Sequence, residues 1–126
     1  MSAEQVLDPA VVAGLIRTQD ALDNPVFVRQ LAELFRTSAP GKMDRIREAL
    51  AARDAADIGQ VAHALRSSCG MLGAVRMAGV CATMEEAAAR ADLTAAGLAF
   101  EEAGRLLPAV LEALSKLTDQ LPAPGA

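Results

Sequence analysis

The sequence predicts an all-α chain folded as an antiparallel helix bundle, and three observations point there. Alanine and leucine dominate an apolar fraction of 52%, while the chain has no Trp, no Tyr and only three Phe, so strand formers are scarce. Apolar residues recur three and four positions apart through most of the 126 residues, the period of a helix with one buried face. Start and stop signals divide that pattern into five stretches joined by short connections, as in an antiparallel bundle with alanine-lined, closely packed helices.

The first helix is expected over residues 8–18. Asp8-Pro9 reads as an N-cap followed by proline at the first helical position, and Leu7, Val11, Leu15 and Ile16 form a narrow apolar side. So short an element is expected to lie across the end of the bundle. Asn24-Pro25 repeats the start signal and opens a long helix over 25–53. Phe27, Leu31, Leu34, Phe35 and Ser38 share one face, which resumes at Met43, Ile46 and Leu50 with its spacing slipped by a residue. Pro40-Gly41 lies between, so this helix is expected to kink near residue 40.

Asp54 is placed to cap a third helix over 55–72, with Asp57 in its first turn and Gly73 as its stop. A fourth follows over 74–91, with Met77, Val80, Cys81, Met84, Ala87, Ala88 and Ala91 inward and Glu85, Glu86 and Arg90 outward. The fifth spans 94–120 along the seam Phe100, Ala103, Leu107, Val110, Leu114, Leu117 and Leu121, and Pro108 breaks or kinks it. Residues 122–126 are expected to fray. The whole chain reads as one domain.

Composition removes several classes of function. The net charge is −4 and no basic cluster appears, which argues against nucleic-acid binding. No apolar run reaches the roughly 20 residues of a membrane span. The N-terminal stretch has no basic segment or cleavage signature of a secretory signal, so a cytoplasmic location is expected. Cys69 and Cys81 sit in apolar helical contexts and are expected to be buried, reduced thiols. A single histidine cannot build a metal or haem site by itself.

That histidine, His63, marks the most informative stretch. On a helix, Ile58, Val61, Ala62, Leu65, Cys69 and Leu72 fall on one stripe, and His63 points away from it. Its neighbours on the outer face are Ala56, Gly59, Gln60, Arg66, Ser67 and Gly70, all small or polar. A glycine inside a helix loses about 1 kcal/mol against alanine, so two of them around one imidazole suggest that bulk is excluded where another protein approaches. Ala56, Gly59 and Gly70 are the expected docking positions. Neutral imidazole is a nucleophile near neutral pH, and a guanidinium one turn away can pair with phosphate oxygens.

From His63 to Ala74 the chain resembles the histidine-containing phosphotransfer (HPt) domains, whose pattern is H-x-L-K-G-S-S-x-x-L-G-A. His63, Leu65, Ser68, Leu72, Gly73 and Ala74 match it, and Arg66 replaces the lysine. Ser67 stands where glycine is usual and Cys69 where a second serine is common. The resemblance extends to the order and lengths of the helices. It implies an up-down-up-down four-helix bundle with a short additional N-terminal helix, and a role in a multistep phosphorelay. His63 would be the phosphoacceptor through Nε2, Arg66 would stabilise the phosphate, and Gln60 and Ser67 would add hydrogen bonds. The implied partners are receiver domains of response regulators and a hybrid histidine kinase. The chain would be a phosphocarrier, not an enzyme, and a monomer, with no cofactor of its own and Mg²⁺ supplied in the receiver. The competing reading is an interaction module that docks a receiver or kinase without being phosphorylated.

Overall fold

The computed structural model describes residues 6–121, so the tail expected over 122–126 lies outside the described residues. Five helices follow in order: α1 (Pro9–Ala21), α2 (Phe27–Ala51), α3 (Ala55–Leu72), α4 (Val75–Ala89) and α5 (Leu93–Gln120). Among the described residues there is no strand. Each of α2 to α5 packs on its neighbour in sequence, and α2 also packs on α5, which closes a four-helix ring. The short helix α1 rests on α2 and α3.

The four corners share one hydrogen-bonding scheme. The N–H groups of Asn24, Asp54, Ala74 and Asp92 donate to the carbonyls five residues back, on Gln19, Ala49, Cys69 and Ala87, at 3.1, 2.9, 2.8 and 2.9 Å. The residue before each donor is left-handed: Asp23, Arg53, Gly73 and Ala91 have φ of 50°, 56°, 82° and 55°. This geometry satisfies carbonyls that the end of a helix leaves without partners. Two corners also start the next helix, because Asp54 Oδ1 accepts from Asp57 N–H and Asp92 Oδ1 from Ala95 N–H, both at 3.0 Å.

Gly73 carries an extra constraint. A Cβ there would lie 3.1 Å from both the Asp8 nitrogen and the Val11 Cβ. The close approach exists because Asp8 N–H donates to Gly73 carbonyl at 2.7 Å, pinning the start of α1 to the α3–α4 corner. Asp8 also caps α1, its Oδ1 accepting from Ala10 N–H at 2.9 Å, with Pro9 at the first helical position.

Several sequence expectations are corrected by the packing. Helix α1 continues to Ala21, past the expected stop at 18, and its last turn supplies Gln19. The Gln19 side chain is buried and its Oε1 accepts from Val28 N–H at 3.0 Å, so it caps α2 from outside. Helix α2 accordingly starts at Phe27, two residues after the expected start, while Asn24 Oδ1 binds Val26 N–H in the corner. The inward face of α2 is Val28, Ala32, Phe35, Ala39, Met43, Ile46 and Ala49, a single stripe without a slip. Leu34, expected inside, is 64% exposed. Reading the large side chains as the core missed Ala32, Ala39 and Ala49, which are buried in the stripe.

Pro40 and Pro108 both lie inside continuous helices. Both are exposed, so each lies on the outer side of its helix, away from the core stripe. In α5 the buried positions are Ala96, Ala99, Ala103, Val110, Leu114 and Thr118, and Phe100, Leu107, Leu117 and Leu121 are half-buried beside them. The Phe100 ring carries the Arg47 guanidinium 5.6 Å from its centroid. In α4 the inward residues are Met77, Cys81, Met84, Ala87 and Ala88, whereas Val80 is half-buried and Ala91 is exposed in the corner. The α3 stripe matches the sequence reading residue for residue.

Cys69 and Cys81 are free, wholly buried thiols on facing sides of α3 and α4. The hydrogen bond with Cys81, together with burial, pushes the Cys69 thiol far above its ordinary range. An alkylating reagent at neutral pH is therefore expected to leave Cys69 unmodified in the native protein and to react once denaturant unfolds it. Labelling of Cys69 in the native state would show that the α3–α4 contact opens.

The corners give a second expected outcome. Gly73→Ala should lose about 1–3 kcal/mol in urea unfolding, from the left-handed penalty and the contacts with α1. Ala91→Gly, at an exposed corner of the same geometry, should leave stability level or slightly raised. Leu65→Ala, in the centre of the α3 stripe, should cost about 2–5 kcal/mol.

Candidate functional site

The site lies on the outer face of α3, where it meets α4. Helix α3 is held by its inward stripe, of which Ile58, Ala62, Leu65 and Cys69 are fully buried. Burying one face fixes the rotation of the helix and turns His63 outward, with 56% of its side chain exposed. Gln60, Ser67, Gly70 and Ala56 are exposed on the same side, and Arg66 is 43% exposed. A Cβ at Gly70 would meet nothing within 4 Å, so the surface there is open.

Gly59 departs from the expected open clearing. It is half-buried, and a Cβ on it would lie 3.5 Å from Ala88 Cβ. Gly59 thus lines the crevice between α3 and α4, together with Ala56, Gln60, Glu85 and Ala88. A Cβ there would make ordinary van der Waals contact with Ala88, so helix packing alone does not demand a glycine.

The structure adds a residue that the sequence reading set on the outer surface. Glu85 of α4 turns toward α3 and is 30% exposed. Its Oε2 lies 2.9 Å from His63 Nδ1, and its Oε1 lies 3.1 Å from Arg66 Nε. The two carboxylate oxygens thus bridge the imidazole and the guanidinium. The signal was present in the numbering: His63 and Glu85 stand eleven residues on either side of Ala74, where the chain reverses. In an antiparallel hairpin such positions face each other.

The carboxylate decides which ring nitrogen carries the proton in the neutral imidazole. An oxygen at 2.9 Å requires a donor, so Nδ1 holds the hydrogen and donates to Glu85. Arg66 Nη2 lies 3.0 Å from the same Nδ1. A protonated Nδ1 has no lone pair to offer it, so the effective partner of Arg66 is the carboxylate. Among the described residues Nε2 has no hydrogen-bond partner, and it keeps its lone pair in a side chain that is 56% exposed. That arrangement presents a nucleophilic nitrogen to an incoming electrophile, with a guanidinium within one turn.

The remaining motif positions are structural. Leu65 and Leu72 are buried, Gly73 is the left-handed stop, and Ala74 is buried at the start of α4. The Ser68 hydroxyl donates to the Ala64 carbonyl at 3.1 Å. Cys69, where serine is common, is wholly buried in the α3 stripe. Among the described residues no cluster of three or more His, Cys, Asp or Glu could hold a metal ion. No helix among them is long and apolar enough to cross a membrane.

Comparison with known proteins places this geometry. In fold the chain is similar to the crystal structure of histidine-containing phosphotransfer protein B (HptB) from Pseudomonas aeruginosa PAO1, with a TM-score of 0.82 and 26% sequence identity. The match covers 93% of this chain and 97% of that one. A search of curated proteins gave no match. The sequence profile of the Hpt domain matches residues 30–121, which include α3, α4 and the bulk of the bundle. The chain belongs to the Hpt, or histidine-containing phosphotransfer, domain family.

Proposed function

We propose that His63 is the phosphoryl acceptor through which this phosphorelay protein exchanges a phosphoryl group with the aspartate of receiver domains. The observation that carries the assignment is the engaged Nδ1 and the unengaged Nε2 of an exposed ring. Nε2 attacks the phosphorus of a receiver's phosphoaspartate, a P–N bond forms, and the aspartate carboxylate leaves. Arg66 is the cation nearest the ring, and its guanidinium pairs with the phosphoryl oxygens as charge gathers there. Gln60 and Ser67, exposed on the same face, add neutral hydrogen bonds.

The receiver contributes the rest of the chemistry, including Mg²⁺ and the acidic residues that bind it. This chain acts as a carrier, working as a monomer in the cytoplasm, with a hybrid histidine kinase upstream. Ala56, Gly59 and Gly70 keep the ring accessible. Beyond them, Leu34 and Met71 are 64% and 56% exposed and flank a groove between α2 and α3. Met71 is two helical turns from His63, roughly 12 Å along the axis. An interface of about 800 Å² on each partner, centred on the ring, reaches that far and takes up this apolar surface.

Transfer from a phosphorylated receiver tests the assignment. His63→Gln should keep the fold and take up no phosphate, while normal uptake would exclude His63 as acceptor. Arg66→Ala should slow transfer by about tenfold or more, equivalent to at least 1.4 kcal/mol of barrier. Its melting temperature should change little, because exposed ion pairs contribute about 0–1 kcal/mol.

Bulk on the docking face separates binding from folding. Gly70→Gln and Ser67→Gln should leave helicity and melting temperature level or higher, since glycine is a poor helix former and the space is open. Both should cut receiver-dependent transfer about tenfold. Unchanged rates in both variants would move the docking surface elsewhere.

A further inference from the structure

We propose that Glu85 also acts after phosphorylation, holding the Nδ1 proton of phosphorylated His63 so that the ring leaves as neutral imidazole when the phosphoryl group moves on. The inference rests on His63 being the acceptor. In the donating step the P–Nε2 bond breaks, its electron pair stays on Nε2, and the phosphoryl group passes to a carboxylate oxygen of the receiver or to water. If Nδ1 keeps its proton, the departing ring is a neutral imidazole. If Nδ1 has lost it, the ring must depart as an imidazolate anion, a far poorer leaving group.

The geometry favours the first course. The Glu85 carboxylate sits 2.9 Å from Nδ1, and a negative charge in hydrogen-bond contact stabilises the protonated ring against the deprotonated one. The carboxylate is held from its other side by Arg66 Nε at 3.1 Å, so it is placed independently of the ring. It belongs to α4 while the ring belongs to α3, and the packed hairpin fixes their separation. Among the described residues, the charged groups in contact with the ring are Glu85 and Arg66. On α2, Arg45 is engaged with Asp57 at 2.6 Å, and Lys42 lines the groove by Ser68 and Met71. Glu86, the next residue on α4, is exposed and provides a control carboxylate. Glu85 is thus a positioning residue for the donor half of the relay, with the phosphoryl group itself on the far nitrogen.

The test needs no partner protein. Phosphoramidate, a chemical phosphoryl donor, loads imidazoles directly, and this chain has only one. Wild type, Glu85→Gln and Glu86→Gln would be loaded, and loss of phosphohistidine followed by ³¹P NMR from about pH 5 to about pH 9. Glutamine keeps an acceptor oxygen and the side-chain shape, so ring placement is retained. Release from Glu85→Gln should fall off at a lower pH than release from wild type, because the variant lacks the negative charge beside Nδ1. It should be slower by about tenfold near neutrality and equal at the acid end, with Glu86→Gln matching wild type. Coincident profiles for Glu85→Gln and wild type would overturn the proposal. So would equal shifts in both variants, or a uniform loss of rate at every pH. A chain that shows the Glu85 effect yet accepts no phosphate from any receiver would refute the relay assignment and leave the ring chemistry standing.

Discussion

The left-handed corner at Gly73 is the constraint on which the rest of this molecule depends. It ends α3, reverses the chain within two residues and starts α4, so it sets the register in which the two helices face each other. Three cross-helix relations follow. Cys81 lies against Cys69 in the core, Ala88 against Gly59 in the crevice, and Glu85 against His63 at the surface. The same corner binds the start of α1 through the Gly73 carbonyl. The other corners tolerate Asp, Arg and Ala in left-handed conformation. At Gly73 a Cβ would crowd the Asp8 backbone and Val11 at 3.1 Å, so glycine is favoured there by space as well as by its left-handed backbone.

Stability and chemistry are divided between the two faces of α3. The inner face carries large, wholly buried side chains whose truncation costs several kcal/mol. The outer face holds the ring, the guanidinium and small residues, joined by partly exposed polar contacts that contribute little to folding. Rigidity at the site therefore comes from the core beneath it. The Glu85 contacts serve to orient the imidazole and place its proton, and they leave the opposite nitrogen accessible to a partner. Glu85 and Arg66 hold opposite charges next to each other, so the charge on the ring's own surroundings is nearly balanced before a phosphoryl group arrives.

The helix order, the inward stripe of α3 and the outward direction of His63 were legible in the sequence, because amphipathic period and cap residues are local signals. The bounds of α3 came from Asp54 and Gly73, residues whose physical roles are nearly unambiguous. The inward face of α2 was not legible in the same way. Four of its seven core positions are alanine or valine, and the larger Phe27, Leu31 and Leu34 drew the reading to positions that are half-buried or, at Leu34, exposed. The start of α2 depends on Gln19, a cap supplied from another helix, which no local pattern announces. Glu85 was read correctly as an outer residue, but its partner was not legible, because helical periodicity separates inside from outside and does not say which outer residue leans toward a neighbouring helix. Counting from the hairpin corner supplies that missing relation.

The central claim is that this hairpin presents His63 as a nucleophile through Nε2. The most direct measurement is the position of the phosphorus after incubation with a phosphorylated receiver, read by ³¹P–¹⁵N correlation on ring-labelled protein. The account requires phosphate on Nε2 of His63 with the hydrogen on Nδ1. Phosphate on Nδ1, or on any other residue, would contradict it.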